Sequence, residues 1–352
     1  MRRFLTVTEI LILAVALVLA AIYWRFDSER ADLTDAVRAG VGGSYVALAL
    51  PPDAPPLATP PATVTHYQLA GPAGAPTVVL VHGFSVPYYI WDPLFDGLVR
   101  AGFRVLRYDL YGRGYSDRPN VRYDAELFDR QLQNLLDALR ITSPVDVAGL
   151  SMGGPITVTF AVRHPSRVRS IMLFDPAVMA GKPPLTLRLP LVGEFDMDVF
   201  RMPHAAQGQL GDFAHPDRFP DWPARYEPQM RYKGFQRALL STIRYYEPRD
   251  KLPDFTQYGK SGKPALLVWG REDKTTPFAK LSPIARAAIP QAEFHPIDDA
   301  GHIPFMEKPD VVIPITVDFL RRQSSQGGQA TQSTQSPETT QTTQASQTAA
   351  KP

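Results

Sequence analysis

Between residues 77 and 322 the apolar positions fall into two alternating kinds of stretch. Short, nearly unbroken apolar runs occupy 77–81, 103–108, 145–148, 168–174, 264–269 and 292–297, with the length and content of strands buried on both faces. Between them lie segments of helical spacing at 92–100, 124–140, 277–288 and 308–322. In 124–140, Leu127, Phe128, Leu132, Leu135, Leu136 and Leu139 share one face. This β-α-β-α order predicts an α/β fold, a mostly parallel sheet covered by helices on both faces. Residues 45–50 and 63–69 read as two further strands, an antiparallel hairpin joined by the Pro/Ala-rich connection 51–61. Residues 177–259 break the alternation. This stretch is rich in proline and aromatic residues and stands between two strands, so it is expected to be a mainly helical cap inserted over the sheet edge.

The two ends follow other patterns. Residues 4–24 are apolar apart from Thr6, Thr8 and Glu9, close to the ~20 residues that cross a bilayer as a helix. Arg2-Arg3 precedes this stretch and Tyr23-Trp24 closes it, which suits a span with its amino end in the cytoplasm and the remaining chain outside. Residues 1–25 therefore read as a membrane anchor. A cleaved signal segment, with secretion as its consequence, and a buried soluble helix are the competing readings. Residues 26–44 form a linker with a short amphipathic helix over 28–38, where Leu33 and Val37 are one turn apart. Residues 323–352 are mainly Gln, Thr, Ser, Ala and Gly and are expected to be a disordered tail.

Composition narrows the classes of function. A hydrophobic content of 44% fits a globular chain, and a net charge of +2 without a basic stripe argues against a nucleic-acid partner. Cysteine is absent, which removes disulfides, thiolate metal sites and a cysteine nucleophile.

The chemistry gathers around Gly149-Leu150-Ser151-Met152-Gly153-Gly154, a G-x-S-x-G sequence between an expected strand and an expected helix. A serine there stands on a tight turn at the carboxyl edge of the sheet, and the flanking glycines allow strand and helix to approach. Such a nucleophile needs a base and an acid to orient it. Of seven histidines, His302 in Asp299-Ala300-Gly301-His302 follows the last strand and is the candidate base. Asp273 in Trp269-Gly270-Arg271-Glu272-Asp273 is the candidate acid, and the chain order is Ser, Asp, His. Asp175, just past the 168–174 strand, is the rival acid; Glu272, Asp298 and Asp299 are weaker ones. The oxyanion donors are expected to be the backbone N–H groups of Met152 and of Phe84, in His82-Gly83-Phe84-Ser85, with His82 shaping that loop. Tyr88, Trp91 and Phe305 lie close to these motifs in sequence and are candidate substrate-binding residues.

His82-Gly83-Phe84, Asp109-Leu110-Tyr111-Gly112-Arg113-Gly114-Tyr115-Ser116, the Ser151 motif, Trp269–Asp273 and Gly301-His302, in this order, resemble the α/β-hydrolase superfamily over about residues 45–322. The resemblance is strongest to the lipase/esterase group that includes monoacylglycerol lipase-like hydrolases. It implies an α/β-hydrolase fold with a cap, a Ser-His-Asp mechanism without cofactor or metal, and an ester substrate, small or lipid-derived. Carbon–carbon bond hydrolases and cofactor-free haloperoxidases share the Ser-Met-Gly-Gly turn, so reaction class stays open, as does a non-catalytic binding protein on the same fold.

Overall fold

The computed structural model describes residues 6–50 and 62–332. Arg2-Arg3, the 51–61 connection and residues 333–352 of the expected tail lie outside them. Among the described residues eight strands form one sheet: β1 (Ser44–Ala49), β2 (Ala62–Ala70), β3 (Thr77–Val81), β4 (Arg104–Tyr108), β5 (Val145–Leu150), β6 (Val168–Phe174), β7 (Ala265–Gly270) and β8 (Glu293–Ile297). Their order is β1-β2-β4-β3-β5-β6-β7-β8. β1 and β2 form the expected antiparallel hairpin, β2 meets β4 antiparallel, and every later pairing is parallel. β3, β5 and β7 are buried along their whole length, as their unbroken apolar runs require.

The chain begins with α1 (Val7–Phe26) and the short α2 (Asp35–Ala39). Helices α3 (Asp92–Arg100), α4 (Ala125–Ala138) and α5 (Gly153–Arg163) alternate with the strands. Asp124 caps α4 by accepting from the N–H groups of Glu126 and Leu127, both at 3.1 Å. Between β6 and β7 lie α6 (Leu185–Arg188), α7 (Val192–Asp196), α8 (Met202–Gly208), α9 (Trp222–Met230), α10 (Phe235–Tyr245) and α11 (Leu252–Lys260). The fold closes with α12 (Phe278–Ala288), α13 (Pro304–Glu307) and α14 (Pro309–Gln332).

Several elements depart from the sequence expectation. α11 packs on α5 and α12, and its Phe255 and Tyr258 join the core beside β5. It therefore belongs to the body, and the inserted cap helices are α6 to α10. The apolar residues of that cap are not a separate core. Met197, Trp222, Tyr226, Phe235 and Leu239 run continuously into Leu80, Leu150 and Phe174 on one face of the sheet. The helix expected over 28–38 shrinks to α2, because the side chains before it are committed to the cap. The Glu29 carboxylate accepts from the N–H groups of Gly234 and Gln236 at the start of α10, and Ser28 Oγ donates to Met230 O at 3.3 Å. Ala31 forms a bridge with Tyr232. α14 continues ten residues beyond its expected end at Arg322, with Ser324 Oγ donating to Leu320 O at 3.0 Å. A serine that satisfies a helix carbonyl in this way is compatible with helix even in a polar sequence.

α1 is the one helix among the described residues long and apolar enough to cross a membrane, and none of its residues is buried against the rest of the chain.

Candidate active site

Ser151 follows β5 directly and has φ +52°, a left-handed conformation that strains any residue but glycine. What holds it there is crowding. A Cβ on Gly149 would lie 2.2 Å from Gly153 O, and one on Gly153 would lie 2.2 Å from Val81 O. Only hydrogen fits at both places, so β5, α5 and the end of β3 close around the serine. Ser151 N–H donates to Phe174 O and Ser151 O accepts from Ala177 N–H, both at 3.0 Å, which locks the turn against the end of β6.

His302 lies in the loop between β8 and α13, and Asp273 in the loop after β7. Their side chains meet: Nδ1–H of His302 donates to Asp273 Oδ2 at 2.9 Å. That bond assigns the tautomer and leaves Nε2 as the basic nitrogen. Asp273 also accepts from Thr275 N–H (2.8 Å), Thr276 N–H (3.0 Å) and Thr276 Oγ1 (2.5 Å). Burial alone would raise its carboxyl, but the imidazole and these donors hold it below its usual value. Burial likewise opposes charge on His302, and the Asp273 carboxylate outweighs it, raising the imidazole above its ordinary value. Two close approaches fix the His302 loop. A Cβ on Gly270 would lie 2.0 Å from Gly301 O, and His302 N–H donates to Asp212 O of the cap at 2.7 Å.

The loop after β3 abuts the serine, since a Cβ on Gly83 would come within 3.3 Å of Ser151 Cβ. The backbone N–H groups of Phe84 and Met152 are paired with no protein acceptor among the described residues. Backbone donors left open in this way are suited to a developing oxyanion. His82 is fully buried, donating from Nδ1 to Gly83 O and accepting at Nε2 from Leu110 N–H, both at 2.9 Å. Burial lowers it to about 4, so it is neutral and shapes the loop.

Two supports of this loop were not singled out from sequence. Arg113 is fully buried; its Nε donates to Phe84 O at 2.7 Å and its Nη2 to Thr242 Oγ1 of α10 at 2.9 Å. Gln229 of α9 donates to Ser85 O at 3.0 Å. The Asp109–Ser116 motif was the available signal for Arg113, but its cap partner Thr242 lies 129 residues away.

Two of the three expected substrate contacts, Trp91 and Phe305, are corrected by the packing. Residues Tyr88–Trp91 form a 3-10 turn, whose tight pitch spreads successive side chains. Tyr88 packs on His66, ring centroids 4.6 Å apart, beside the buried His66–Asp109 pair. Trp91 and Phe305 are both fully buried and stack on each other at 4.5 Å, with Phe174 edge-on to both. They are core. Of the rival acids, Glu272 accepts from Ala300 N–H and shapes the histidine loop, while Asp298 pairs with Arg271, and Asp299 with His215 and Lys308, toward solvent. Asp175 does belong to the cluster: one ligand atom each of Asp175, Asp273 and His302 lie within 4.8 Å of one another.

The model of the α/β hydrolase fold matches residues 76–309, most of the chain and all of these loops. The chain belongs to the α/β-hydrolase fold family. Within the family, this hydrolase is 30% identical to a 2-hydroxy-6-oxononadienedioate/2-hydroxy-6-oxononatrienedioate hydrolase of Paraburkholderia xenovorans, over 72% of this chain and 90% of that one. It is 27% identical to Lipase 1 of Psychrobacter immobilis, over 68% of this chain and 74% of that one. Among solved structures, the enol-lactonase of Burkholderia xenovorans superposes with a TM-score of 0.64 at 27% identity, covering 74% of this chain and 97% of the lactonase.

Proposed function

We propose that this hydrolase cleaves carboxylic esters, apolar or lipid-derived, with Ser151 as nucleophile, His302 as base and Asp273 as orienting acid. The observations that carry this are the 2.9 Å bond from His302 Nδ1 to Asp273, which leaves Nε2 free for proton transfer, and the strained left-handed turn at Ser151. Ser151 Oγ attacks the acyl carbon while its proton passes to His302 Nε2. The carbonyl π pair moves onto oxygen, which the N–H groups of Phe84 and Met152 stabilise. Collapse breaks the bond to the alkoxy oxygen, which leaves with the proton from His302. Water then attacks the acyl-enzyme, gives its proton to His302, and the acid departs as Ser151 Oγ takes that proton back. The lipase and lactonase relatives support an ester substrate.

The test is turnover of p-nitrophenyl esters of rising acyl length, beside a 2-hydroxy-6-oxo dienoate of the kind the Paraburkholderia relative is named for. Faster ester turnover, with an optimum at medium or long acyl chains, is expected. Exclusive turnover of the dienoate would replace this reading by carbon–carbon bond hydrolysis, the alternative that relative favours.

Our reading further takes α1 as a bilayer anchor with the catalytic domain on the outer side. Its support is a 20-residue helix of mean hydropathy 2.3 with no buried residue, touching a cap segment whose Phe200 is also exposed. Because the chain has no cysteine, Val15→Cys accepts a single environment-sensitive fluorophore. In proteoliposomes this label is expected to emit as in hydrocarbon and to resist iodide quenching. Water-like emission, or a mature chain beginning beyond Trp24, would overturn the anchor.

A further inference from the structure

β6 and β7 run side by side, with Phe174 opposite Val268 and Asp175 N–H donating to Val268 O at 3.0 Å. Their carboxyl ends therefore deliver two acids to one place, Asp175 directly after β6 and Asp273 a few residues after β7. Asp175 has φ +45°, a conformation that costs a non-glycine residue free energy and persists only where its surroundings enforce it. Its side chain is completely buried. Oδ1 accepts from Gly270 N–H at 2.9 Å, while Oδ2 receives no donor from the described residues. One side-chain oxygen of Asp175, one of Asp273 and one ring nitrogen of His302 lie within 4.8 Å of one another, and Thr276 spans both loops, its Oγ1 lying 3.0 Å from Asp175 O and 2.5 Å from Asp273 Oδ2.

A hydrogen bond between two carboxyl groups requires one proton, and the surroundings decide its place. Asp273 is met by four hydrogen-bonding groups: Thr275 N–H, Thr276 N–H, Thr276 Oγ1 and His302 Nδ1–H. Among the described residues the Asp175 carboxyl is met by Gly270 N–H alone, and its second oxygen, completely buried, lacks a hydrogen-bond partner. The charge belongs on Asp273 and the proton on Asp175 Oδ2, where it satisfies the orphaned atom. Burial and the adjacent Asp273 charge push Asp175 well above the usual carboxylate range, in the same direction. The other titratable groups acting on the pair are His302, Glu307 of α13 and, through His302, Asp212 of the cap.

We propose that Asp175 is a positioning residue of the triad, a neutral acid that donates a hydrogen bond to the Asp273 carboxylate and stands in reserve as the partner of His302. The proposal rests on the Ser-His-Asp reading above. In the wild-type chain the donated bond disperses charge on Asp273 and so moderates the basicity of His302. When Asp273 is removed, Asp175 releases its proton to solvent and becomes the carboxylate that holds the imidazole.

Two comparisons test this, each as a pH profile of kcat/KM on a p-nitrophenyl ester. First, Asp273→Ala is expected to keep at least about tenfold more activity than Asp175→Asn/Asp273→Ala, since a lost acid costs up to ~10⁴-fold. That surplus should grow as pH rises and Asp175 ionises. Second, Asp175→Leu removes the donor, so Asp273 acts undiluted on His302 and the acid limb moves up by about half a unit to one unit. Asp175→Asn keeps a donor and is expected to leave the limb in place. A merely structural Asp175 would change melting temperature without moving the limb. Equal activity of Asp273→Ala and the double variant at every pH overturns the proposal, and the pair remains decisive if Asp175→Leu fails to fold. Labelling of Ser151 by a fluorophosphonate reads the triad separately. Intact labelling with no surplus overturns the role of Asp175 alone, whereas absent labelling in the folded wild type overturns the triad and this proposal together.

Discussion

Ser151→Ala is expected to lower kcat on the best p-nitrophenyl ester by on the order of 10⁴- to 10⁶-fold, with residual activity from the oxyanion donors and substrate binding alone. The hydroxyl is the atom on which the proposed covalent step depends, and no other serine stands on the β5–α5 turn beside both the Phe84 loop and the end of β6. The melting temperature should not move. Alanine at φ +52° bears the same backbone strain as serine, and Ser151 N–H and O keep their bonds to Phe174 and Ala177. Calorimetry beside the kinetic assay separates a lost nucleophile from a lost fold. A variant that keeps more than about a hundredth of wild-type turnover, well above the residue left by a lost nucleophile, would remove Ser151 from the chemistry.

The second large effect is on stability. Gly153→Val is expected to destabilise the fold by about 3 kcal/mol or more, because the new Cβ would lie 2.2 Å from Val81 O and 2.6 Å from His82 O. These atoms are backbone of the central strand β3 and of the loop that carries Phe84, so neither can swing aside as a side chain can. At ~2–4 °C per kcal/mol for a chain of this size, the melting temperature should fall by roughly 6–12 °C. Gly74→Val is the control. Its Cβ would meet nothing within 4 Å, and a change within about 0.5 kcal/mol is expected. Equal shifts for the two variants would show that close approach of β3 to α5 is not what demands glycine at 153.

Much of the site was legible because each candidate residue follows a strand that its own apolar run announces. Val145–Ala148 leads to Ser151, residues 264–269 to Asp273, and 292–297 to His302. In a parallel sheet all strand ends of one polarity share an edge, so the local patterns bring the three loops together. The readings that failed had nothing local behind them. Tyr88, Trp91 and Phe305 are as aromatic as any pocket lining, and only the stacking of Trp91 on Phe305, with Phe174 edge-on, makes two of them core. α11 has the composition of the cap before it, yet it packs on α5. The 28–38 segment has one helical turn of apolar spacing, but Glu29 caps α10 instead.

By itself the sequence determined the alternation of strands and helices, the antiparallel start, the glycine-flanked serine, and the loops that carry Asp273 and His302. Each depends on periodicity or on steric needs within a few residues, and these are written locally. Only the tertiary structure decided that Asp175 and Asp273 are joint neighbours of one histidine rather than rivals. The adjacency of β6 and β7 places them together across almost a hundred residues of chain, and the donors around each carboxyl set them apart, four at Asp273 and one at Asp175. The hold of Arg113 and Gln229 on the Phe84 loop is of the same kind, since their partners come from distant parts of the chain. Long-range packing and desolvation set these relations, and neither is encoded in any short stretch of sequence.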